Sequence, residues 1–239
     1  TFAFFCRKNN LDNFKKKYLS DSRVLRLGLG TIFHITPSNI PTNFAYSLLF
    51  GLITGNSNII KVPSKKFDQI TMISNAINEL LFKKKYFFLR EMITIVRYSD
   101  NDEITKKLSL KCDARVIWGG DSTINSLRKF PIPERSIDIP FADRYSACFL
   151  NSDKIIKLKD NSLQLLIQKF YNDTFVVDQN ACSSPQIIFW TKTNSSKAKK
   201  IFWKNLSKYI SKKYKPPEIS VIDNYNKLCS NLLERSSLI

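Results

Sequence analysis

One cysteine of this 239-residue chain stands in a short polar segment, residues 178–185 (DQNACSSP), directly before the apolar run 186–190. Cysteine is the side chain best suited to attack a thioester or aldehyde carbonyl, because a fraction of the thiol is already thiolate at neutral pH. Nearby cations or helix N-termini increase the thiolate fraction. A lone cysteine in a loop is also often a bystander. Cys182 is therefore a candidate nucleophile whose role depends on the rest of the chain.

Two earlier segments, residues 34–41 (HITPSNIP) and 55–65 (GNSNIIKVPSK), supply a context for this cysteine. They stand in the same order and at similar spacing as two motifs of the aldehyde dehydrogenase superfamily, and the cysteine segment is a third match in order. Together with residues 118–121 (WGGD) and 143–146 (DRYS), they most resemble the acyl-CoA reductase family typified by the LuxC subunit of bacterial fatty acid reductase. The resemblance covers about residues 24–190 and is most specific in the PSNIP and NACSSP segments.

The resemblance implies catalytic roles for two residues. Cys182 is the nucleophile, and the side-chain amide of Asn39 helps to form an oxyanion hole beside the backbone N–H of Cys182. Fixed amide donors stabilise the negative charge that develops on oxygen when a thiol adds to a carbonyl. The alternative for Asn39 is an ordinary turn or cap residue ahead of Pro41.

The resemblance implies cofactor contacts in the second matched segment, residues 55–65. Lys61 and Ser64 match a Lys-Pro-Ser segment that contacts the adenosine ribose or its 2′-phosphate. In this chain Val62 separates Lys61 from Pro63, which is a departure from the family pattern. The alternative for Lys61 is a solvated lysine just past a strand.

Further cofactor contacts are implied by a glycine pair. Gly119 and Gly120 match the glycine turn near the cofactor pyrophosphate, where the absence of a Cβ lets the backbone approach phosphate. Asp121 replaces the usual serine, and an acidic group beside a pyrophosphate is unfavourable unless it caps a helix. Thr36 and Pro37, in the first motif, complete the cofactor-binding residues that the resemblance implies.

One family feature is missing between Gly120 and Cys182. Aldehyde dehydrogenases carry there a glutamate, in a Glu-Leu-Gly-Gly-Lys motif, that activates water to hydrolyse the acyl-enzyme. The only glutamate of this interval is Glu134, in a proline-rich loop. An enzyme that forms its acyl-cysteine from a thioester and discharges it by hydride transfer needs no activated water. The absence therefore favours acyl-CoA reduction. With what the resemblance implies, we predict reduction of a fatty acyl-CoA to an aldehyde with NADPH, with NADH as the alternative cofactor.

The elements that must position these residues alternate between strand and helix patterns. Strands are predicted at 31–35, 58–62, 92–96, 114–118 and 145–150, a loop at 131–140, and helices after Pro41 and Pro63 and over 102–110, 122–129 and 153–171, with Asp121 or Ser122 capping the helix at 122. This alternation is typical of an α/β fold with a doubly wound, mostly parallel sheet. Because ligands of such sheets bind at the carboxyl ends of the strands, the loops after Ile35, Val62 and Trp118 should gather at one edge.

The predicted organisation has three parts: a lead-in at 1–27, a dinucleotide-binding domain at 28–175, and a partial catalytic α/β domain at 176–239 that carries the cysteine segment. The resemblance makes the sheet an aldehyde-dehydrogenase-like variant of the Rossmann fold. The glycine pair at 28 and 30 precedes a strand and is discounted as a dinucleotide fingerprint. Since the first residue is Thr1, we expect a processed, trimmed or excerpted chain, and no apolar stretch reaches membrane-spanning length.

Composition narrows the function classes. The five cysteines are scattered and form no CxxC pair, which favours a reducing cytoplasm and argues against structural zinc. The single histidine, His34, ends an apolar strand and is interpreted as a satisfied structural imidazole rather than a catalytic one. The net charge of +18 comes from short lysine clusters, which are either plain solvated lysines or steer anionic CoA or dinucleotide.

Three hypotheses of function remain open. The first is the acyl-CoA reductase, for which the resemblance implies a long-chain acyl-CoA or acyl-protein substrate, an acyl-protein synthetase partner and a homo-oligomer at full length. The second is a catalytically incomplete piece that keeps the nucleotide-binding fold. The third, nucleic-acid binding, rests on charge alone, since no basic arm or aromatic RNA-binding signature accompanies it, and we expect no nucleic-acid partner.

Overall fold

A parallel sheet organises the first of two units into which the chain divides, Thr1–Asp143 and Arg144–Ile239. The computed structural model describes residues 2–18, 23–99, 101–176, 178–179, 181–216, 221–222, 225–226 and 228–229. The strands of the first unit are β1 (Thr31–Ile35), β2 (Ser57–Val62), β3 (Ile93–Arg97), β4 (Ala114–Trp118) and β5 (Ile137–Phe141). Its helices are α1 (Phe2–Phe5), α2 (Lys8–Tyr18), α3 (Asn43–Ile53), α4 (Asp68–Leu81), the 3₁₀ segment Lys84–Met92, α5 (Asp102–Ser109) and α6 (Asp121–Arg128).

The strand order is β3-β2-β1-β4-β5, and every neighbouring pair is parallel. The central strand β1 pairs with β2 and β4 so that Ile35 lies opposite Lys61 and Ile117. The carboxyl ends of these three strands are therefore level with one another. This confirms the predicted doubly wound α/β sheet and the gathering of three loops at one edge.

Both faces of the sheet are covered by helices. On one face, Phe44 and Leu48 of α3 pack with Ile60 and Val62 of β2 and with Ile70 of α4. On the other face, Phe33 and Ile35 of β1 pack with Cys112 and with side chains from α5 and α6. Strands buried on both faces form near-continuous apolar runs, which is the pattern seen here.

A buried arginine joins β4 to the edge strand β5. Arg115 is 1% exposed, and its guanidinium makes two hydrogen bonds to the carboxylate of Asp138, at 2.8 and 2.9 Å. Its remaining donor group contacts Ser109 Oγ and the carbonyl oxygen of Phe130, at 3.0 and 3.1 Å. The fold thus supplies a carboxylate and two neutral acceptors to the buried guanidinium.

The second unit contains a two-stranded parallel sheet with helices on one face. Its elements are β6 (Ser146–Asn151), α7 (Ser152–Ile156), α8 (Asp160–Thr174), β7 (Pro185–Thr191) and α9 (Ser195–Ile210). β6 pairs with β7, and Leu150 packs with Ile167 of α8 and Phe202 of α9. Within the described residues of both units, no helix combines the length and apolarity that crossing a membrane requires.

Four predictions of elements differ from the structure. Residues 137–141, predicted as loop, form β5. The helix predicted over 153–171 is two helices, α7 and α8, separated by residues 157–159. Gly120, and neither Asp121 nor Ser122, is the N-cap of α6. The strand and helix predicted at 145–171 belong to the second unit, so the two units meet at 143/144, ahead of the predicted domain boundary at 175/176. The functional assignment of the domains stays a prediction.

Candidate active site

Thr36 links the start of the loop that follows β1 to the end of strand β2. Its backbone N–H and its hydroxyl both donate to the carbonyl oxygen of Lys61, at 3.1 and 2.9 Å. The residue is buried, so its hydroxyl is committed to the sheet edge. Thr36 therefore fixes the backbone at Lys61, and the half-buried Pro37 then begins the loop to α3.

The ammonium group of Lys61 lies over the ring of Tyr98, 4.9 Å from its centroid. Tyr98 follows β3, and its hydroxyl lies 3.1 Å from Thr105 Oγ1, while burial raises the pKa of Tyr98. A cation held against an aromatic face is attracted by the ring and restricted in its rotamers. The half-buried Lys61 thus holds a positive charge at the carboxyl edge, whereas Ser64, in the loop after β2, is exposed.

The glycine pair forms a close turn between β4 and α6. The Gly119 N–H donates to the carbonyl oxygen of Phe141 at 3.3 Å. A Cβ on Gly119 would lie 3.0 Å from Thr123 Cγ2, and a Cβ on Gly120 would lie 2.9 Å from Asp143 Oδ2. A Cβ at Gly119 would therefore crowd the Thr123 side chain, whereas a Cβ at Gly120 would meet the end of the exposed Asp143 side chain, which can move aside.

The first turn of α6 fits an anionic group. The described side chains leave the N-terminal N–H groups of α6 uncapped at Gly120, and these groups stand at the same edge as Lys61. Backbone donors at a helix N-terminus, next to a turn without Cβ atoms, are suited to a phosphate. Asp121 occupies the first helical position and is exposed. Its carboxylate interacts favourably with the helix dipole, but it would repel a phosphate bound at the same place.

A chain of buried hydrogen bonds lies directly beneath this turn. His34 is 2% exposed; its Nδ1 lies 2.7 Å from Ser47 Oγ, and its Nε2 lies 2.9 Å from Asn58 Oδ1. The indole N–H of Trp118 donates to the same Ser47 Oγ at 3.2 Å. The Trp118 ring stacks on Phe141, with 4.0 Å between centroids and 8° between planes. These hydrogen bonds and the ring contact therefore orient Trp118, the residue that precedes Gly119.

The donors and acceptors of this chain fit a neutral imidazole. Asn58 donates its amide to the carbonyl oxygen of Asn56 at 2.7 Å, so its Oδ1 accepts from His34 Nε2–H. Ser47 then donates its hydroxyl proton to Nδ1 and accepts from Trp118. Burial lowers the pKa of His34 to about 4, against an opposing contribution from the Asn58 hydrogen bond. The prediction of a satisfied structural histidine is confirmed.

The buried His34 predicts an acid-sensitive fold. Between pH 6.5 and 4 the unfolded chain binds a proton on His34 and the folded chain does not, so stability is full above pH 6.5 and falls towards pH 4. We expect a loss of roughly 3 kcal/mol in the free energy of unfolding across this range. Urea unfolding of the wild type and of His34→Gln, compared at each pH, isolates this contribution from that of the carboxylates. An NMR titration midpoint near 6.5 for the single histidine of the folded protein would contradict it.

Asn39 lies exposed in the loop between β1 and α3. The N-cap of α3 is Thr42, so the alternative role of Asn39 as helix cap is wrong, while its role as a turn residue stays open. Sequence position places it beside Thr36 and Pro37 at the carboxyl end of β1. Its assignment to an oxyanion hole stays a prediction.

The cysteine segment of the second unit is held on both sides of Cys182. After α8, Asp178 and Gln179 have φ of 51° and 60°, a left-handed conformation that side chains disfavour. The Gln179 N–H donates to the carbonyl oxygen of Thr174 at 2.8 Å, and the Tyr214 hydroxyl donates to Asp178 Oδ1 at 2.8 Å. Burial and the hydrogen bond to Asp178 raise the pKa of Tyr214 to about 12, so this donor stays protonated.

The segment is fixed again at and after the cysteine. The Ser146 hydroxyl donates to the carbonyl oxygen of Cys182 at 2.7 Å, and Ser184, which is 1% exposed, donates its hydroxyl to the carbonyl oxygen of Asp173 at 2.7 Å. Cys182 itself is exposed. A thiol on a restrained backbone with an open face can meet a carbonyl carbon without rearrangement of its loop.

The other thiols have different environments. Burial raises the pKa of Cys112, which is 1% exposed, and of the half-buried Cys148, where Asp173 adds to the effect. Burial also raises the pKa of Cys6. Thiols with a raised pKa form less of the nucleophilic thiolate at neutral pH. Exposure therefore separates Cys182 from these three.

The predicted site residues thus fall into two groups. Thr36, Lys61 and the glycine pair lie at one edge of the first sheet, together with the exposed Ser64 and Asn39, and Cys182 lies in the second unit. Sequence reasoning missed the side chains that restrain these residues: Ser47, Asn58, Tyr98, Trp118, Ser146, Ser184 and Tyr214. A weak signal existed for Asn58, Trp118, Ser146 and Ser184, since these four stand inside matched motifs.

The fold is that of an aldehyde dehydrogenase. The aldehyde dehydrogenase of Brucella melitensis biovar abortus 2308 aligns with a TM-score of 0.60 at 16% identity, over 78% of this chain and 36% of that one. Lactaldehyde dehydrogenase of Escherichia coli aligns with a TM-score of 0.56 at 15% identity, over 77% and 35%. At these identities the likeness concerns the fold, and it confirms the predicted fold class.

The chain belongs to the acyl-CoA reductase (LuxC) family, which it matches over residues 5–227. A curated relative, the long-chain acyl-protein thioester reductase of Photorhabdus luminescens, is 24% identical over 183 residues, covering 75% of this chain and 36% of the relative. This chain therefore spans about a third of the length of that relative. The resemblance inferred from the motifs is confirmed.

Proposed function

We propose that this chain takes part in the reduction of a long-chain fatty acyl thioester, acyl-CoA or acyl-protein, to an aldehyde, with Cys182 as the nucleophile. The observation that carries the proposal is an exposed thiol on a backbone restrained on both sides, in a member of the acyl-CoA reductase family. Its proposed partners are an acyl-protein synthetase and further copies of the chain. Its proposed location is the cytoplasm.

The proposed chemistry begins at Cys182. Its thiolate attacks the thioester carbonyl carbon, and the carbonyl electrons move to oxygen, where the Asn39 amide and the Cys182 N–H donate hydrogen bonds. Collapse expels the CoA thiolate and leaves the acyl group on Cys182 as a new thioester. When bound, the nicotinamide cofactor supplies the hydride that brings this carbonyl to the aldehyde level. The bond between this carbon and the Cys182 sulfur then breaks, its electron pair stays on the sulfur, and the aldehyde leaves.

The cofactor is proposed to be NADPH, held at the carboxyl edge of the first sheet. The Gly119–Gly120 turn and the uncapped start of α6 would hold the pyrophosphate. Lys61 and Ser64 would hold the ribose 2′-phosphate. Thr36 and Pro37 would line the cofactor site at the carboxyl end of β1. The glycine turn, the uncapped start of α6 and the position of the Lys61 ammonium group over Tyr98 support this proposal.

The test is a single-turnover reaction of the purified protein with a long-chain acyl-CoA and NADPH. Mass spectrometry of the products should show one fatty aldehyde and one free CoA for each active thiol. Dinucleotide binding without release of CoA would instead support the second hypothesis, a nucleotide-binding piece that does not turn over. That alternative is kept because the chain spans about a third of its curated relative.

Lys61 is expected to select the phosphorylated dinucleotide. Substitution Lys61→Ala should raise the KM for NADPH about tenfold and that for NADH much less, because a charge-assisted bond to the 2′-phosphate is lost. Lys65→Ala, at an exposed lysine of the loop that follows β2, serves as the matched control and should leave both values unchanged. Equal effects of Lys61→Ala on the two cofactors would show that Lys61 does not bind the phosphate.

A further inference from the structure

Residues 82–90 (FKKKYFFLR) connect α4 to β3 and combine four cations with four aromatic rings and no carboxylate. We call this stretch the basic–aromatic segment. It precedes Ile93, the first residue of β3, so it lies at the amino-terminal edge of the sheet. The carboxyl edge with Lys61 and Gly119 is at the opposite end of the strands.

The 3₁₀ conformation sorts the segment into rows. A 3₁₀ helix has three residues per turn, so side chains three apart stand one above the other. The row of Tyr86, Leu89 and Met92 is half-buried against the protein. The other two rows are exposed, and each begins with a lysine followed by a phenylalanine: Lys84, Phe87, Arg90 and Lys85, Phe88, Glu91.

The outward rings are unusually open to water. Phe87 and Phe88 are 60% and 67% exposed, and Phe82, at the end of α4, is 75% exposed. Backbone hydrogen bonds from Phe82 to Asn78 and from Tyr86 to Lys83 hold the segment in this shape. The apolar surface is therefore presented in a fixed arrangement, and large exposed apolar patches of this kind mark interaction sites.

The cations around these rings are available for an external anion. Within the described part of the chain, Lys83, Lys84, Lys85 and Arg90 lie beyond salt-bridge distance of any carboxylate. Arg90 contacts the Phe82 ring, 5.2 Å from its centroid. The nearby carboxylates, Glu79 and Glu91, are exposed and leave the surface net positive. A second copy of a chain with net charge +18 is a poor partner for such a surface.

We propose that the basic–aromatic segment docks on the surface of a lipid bilayer that contains anionic phospholipids. Phenylalanine rings enter the boundary between headgroups and acyl chains, while lysine and arginine side chains meet the anionic headgroups. Leu80, which is 46% exposed beside Phe82, adds aliphatic surface that suits lipid better than stacked nucleic-acid bases. The inference rests on the segment alone and does not depend on the proposed function.

The test uses the whole chain and vesicles of phosphatidylcholine with or without phosphatidylglycerol, scored by flotation. The wild type should bind the anionic vesicles and not the neutral ones. Substitution of Lys83, Lys84 and Lys85 by alanine should weaken binding about a hundredfold, since each lysine near an anionic surface contributes about a factor of five. Phe87→Ser with Phe88→Ser should weaken it roughly tenfold or more.

The matched control replaces three exposed lysines of α9, Lys197, Lys200 and Lys204, by alanine, with the same change in net charge. Unchanged binding of this control supports docking through the segment. Equal losses in both lysine variants would assign binding to overall charge and overturn the proposal, as would absence of binding to anionic vesicles. Two further results would overturn it: tighter binding of a single-stranded oligonucleotide through Phe87 and Phe88, or self-association that these two substitutions abolish without lipid.

Discussion

Substitution of Cys182 by serine is expected to abolish transfer of the acyl group from acyl-CoA to the protein. The hydroxyl of serine is a far weaker nucleophile than a thiolate. Cys112 is buried and Cys148 is half-buried, and burial raises the pKa of both thiols. Radiolabelled acyl-CoA should label one thiol of the wild type, and hydroxylamine should release the label. The loss should exceed the effect of every other substitution proposed for this chain.

Cys148→Ala is the control for this experiment. Cys148 is half-buried beside the core of the second unit, and its loss should leave acyl labelling intact. Retention of hydroxylamine-sensitive label by Cys182→Ser would show that another group accepts the acyl chain. The proposed nucleophile would then be wrong, whatever the result with Cys148→Ala.

Substitution of Asn39 by alanine should lower kcat about a hundred- to a thousand-fold, because one donor to the developing oxyanion is removed. Dinucleotide affinity and the melting temperature should change little. Asn39 is exposed and α3 begins after Thr42, so the helix does not need the Asn39 side chain as its cap. The measurement combines steady-state kinetics with thermal unfolding and a dinucleotide titration on the same preparations.

The neighbouring exposed residue provides the control, since Ser38→Ala removes a polar group from the same loop. It should leave kcat within a fewfold of the wild type. A large drop in melting temperature for Asn39→Ala, with a proportionate loss of dinucleotide binding, would make Asn39 a structural turn residue. The catalytic proposal would then rest on Cys182 alone.

Local patterns predicted most of the first sheet. β4 has the predicted bounds, and α5 ends one residue before its predicted end, because both are marked by short runs with clear flanking signals. β5 was missed because Pro140 reads as a strand breaker. At the edge of the sheet a proline is tolerated, since its missing N–H faces away from the neighbouring strand.

The motif positions were found from the resemblance, but their supports were not. Trp118 and Ser47 are 71 residues apart, and Tyr214 and Asp178 are 36 apart, yet each pair shares a hydrogen bond. Periodicity reports which face of an element is buried and says nothing about which distant side chain meets it. Such partners follow only from the three-dimensional arrangement of strands and loops.

The buried contact between Arg115 and Asp138 also selects among alternative alignments during folding. An edge strand as short as β5, with a proline in it, could slide by two residues and still turn the same faces inward. Arg115 would then stand opposite Ser136 or Pro140, and a guanidinium buried without a carboxylate costs about 3–5 kcal/mol. A register shifted by two residues is therefore strongly disfavoured relative to the native one. In the native register, Phe141 lies opposite Trp118, and its carbonyl oxygen accepts a hydrogen bond from the Gly119 N–H.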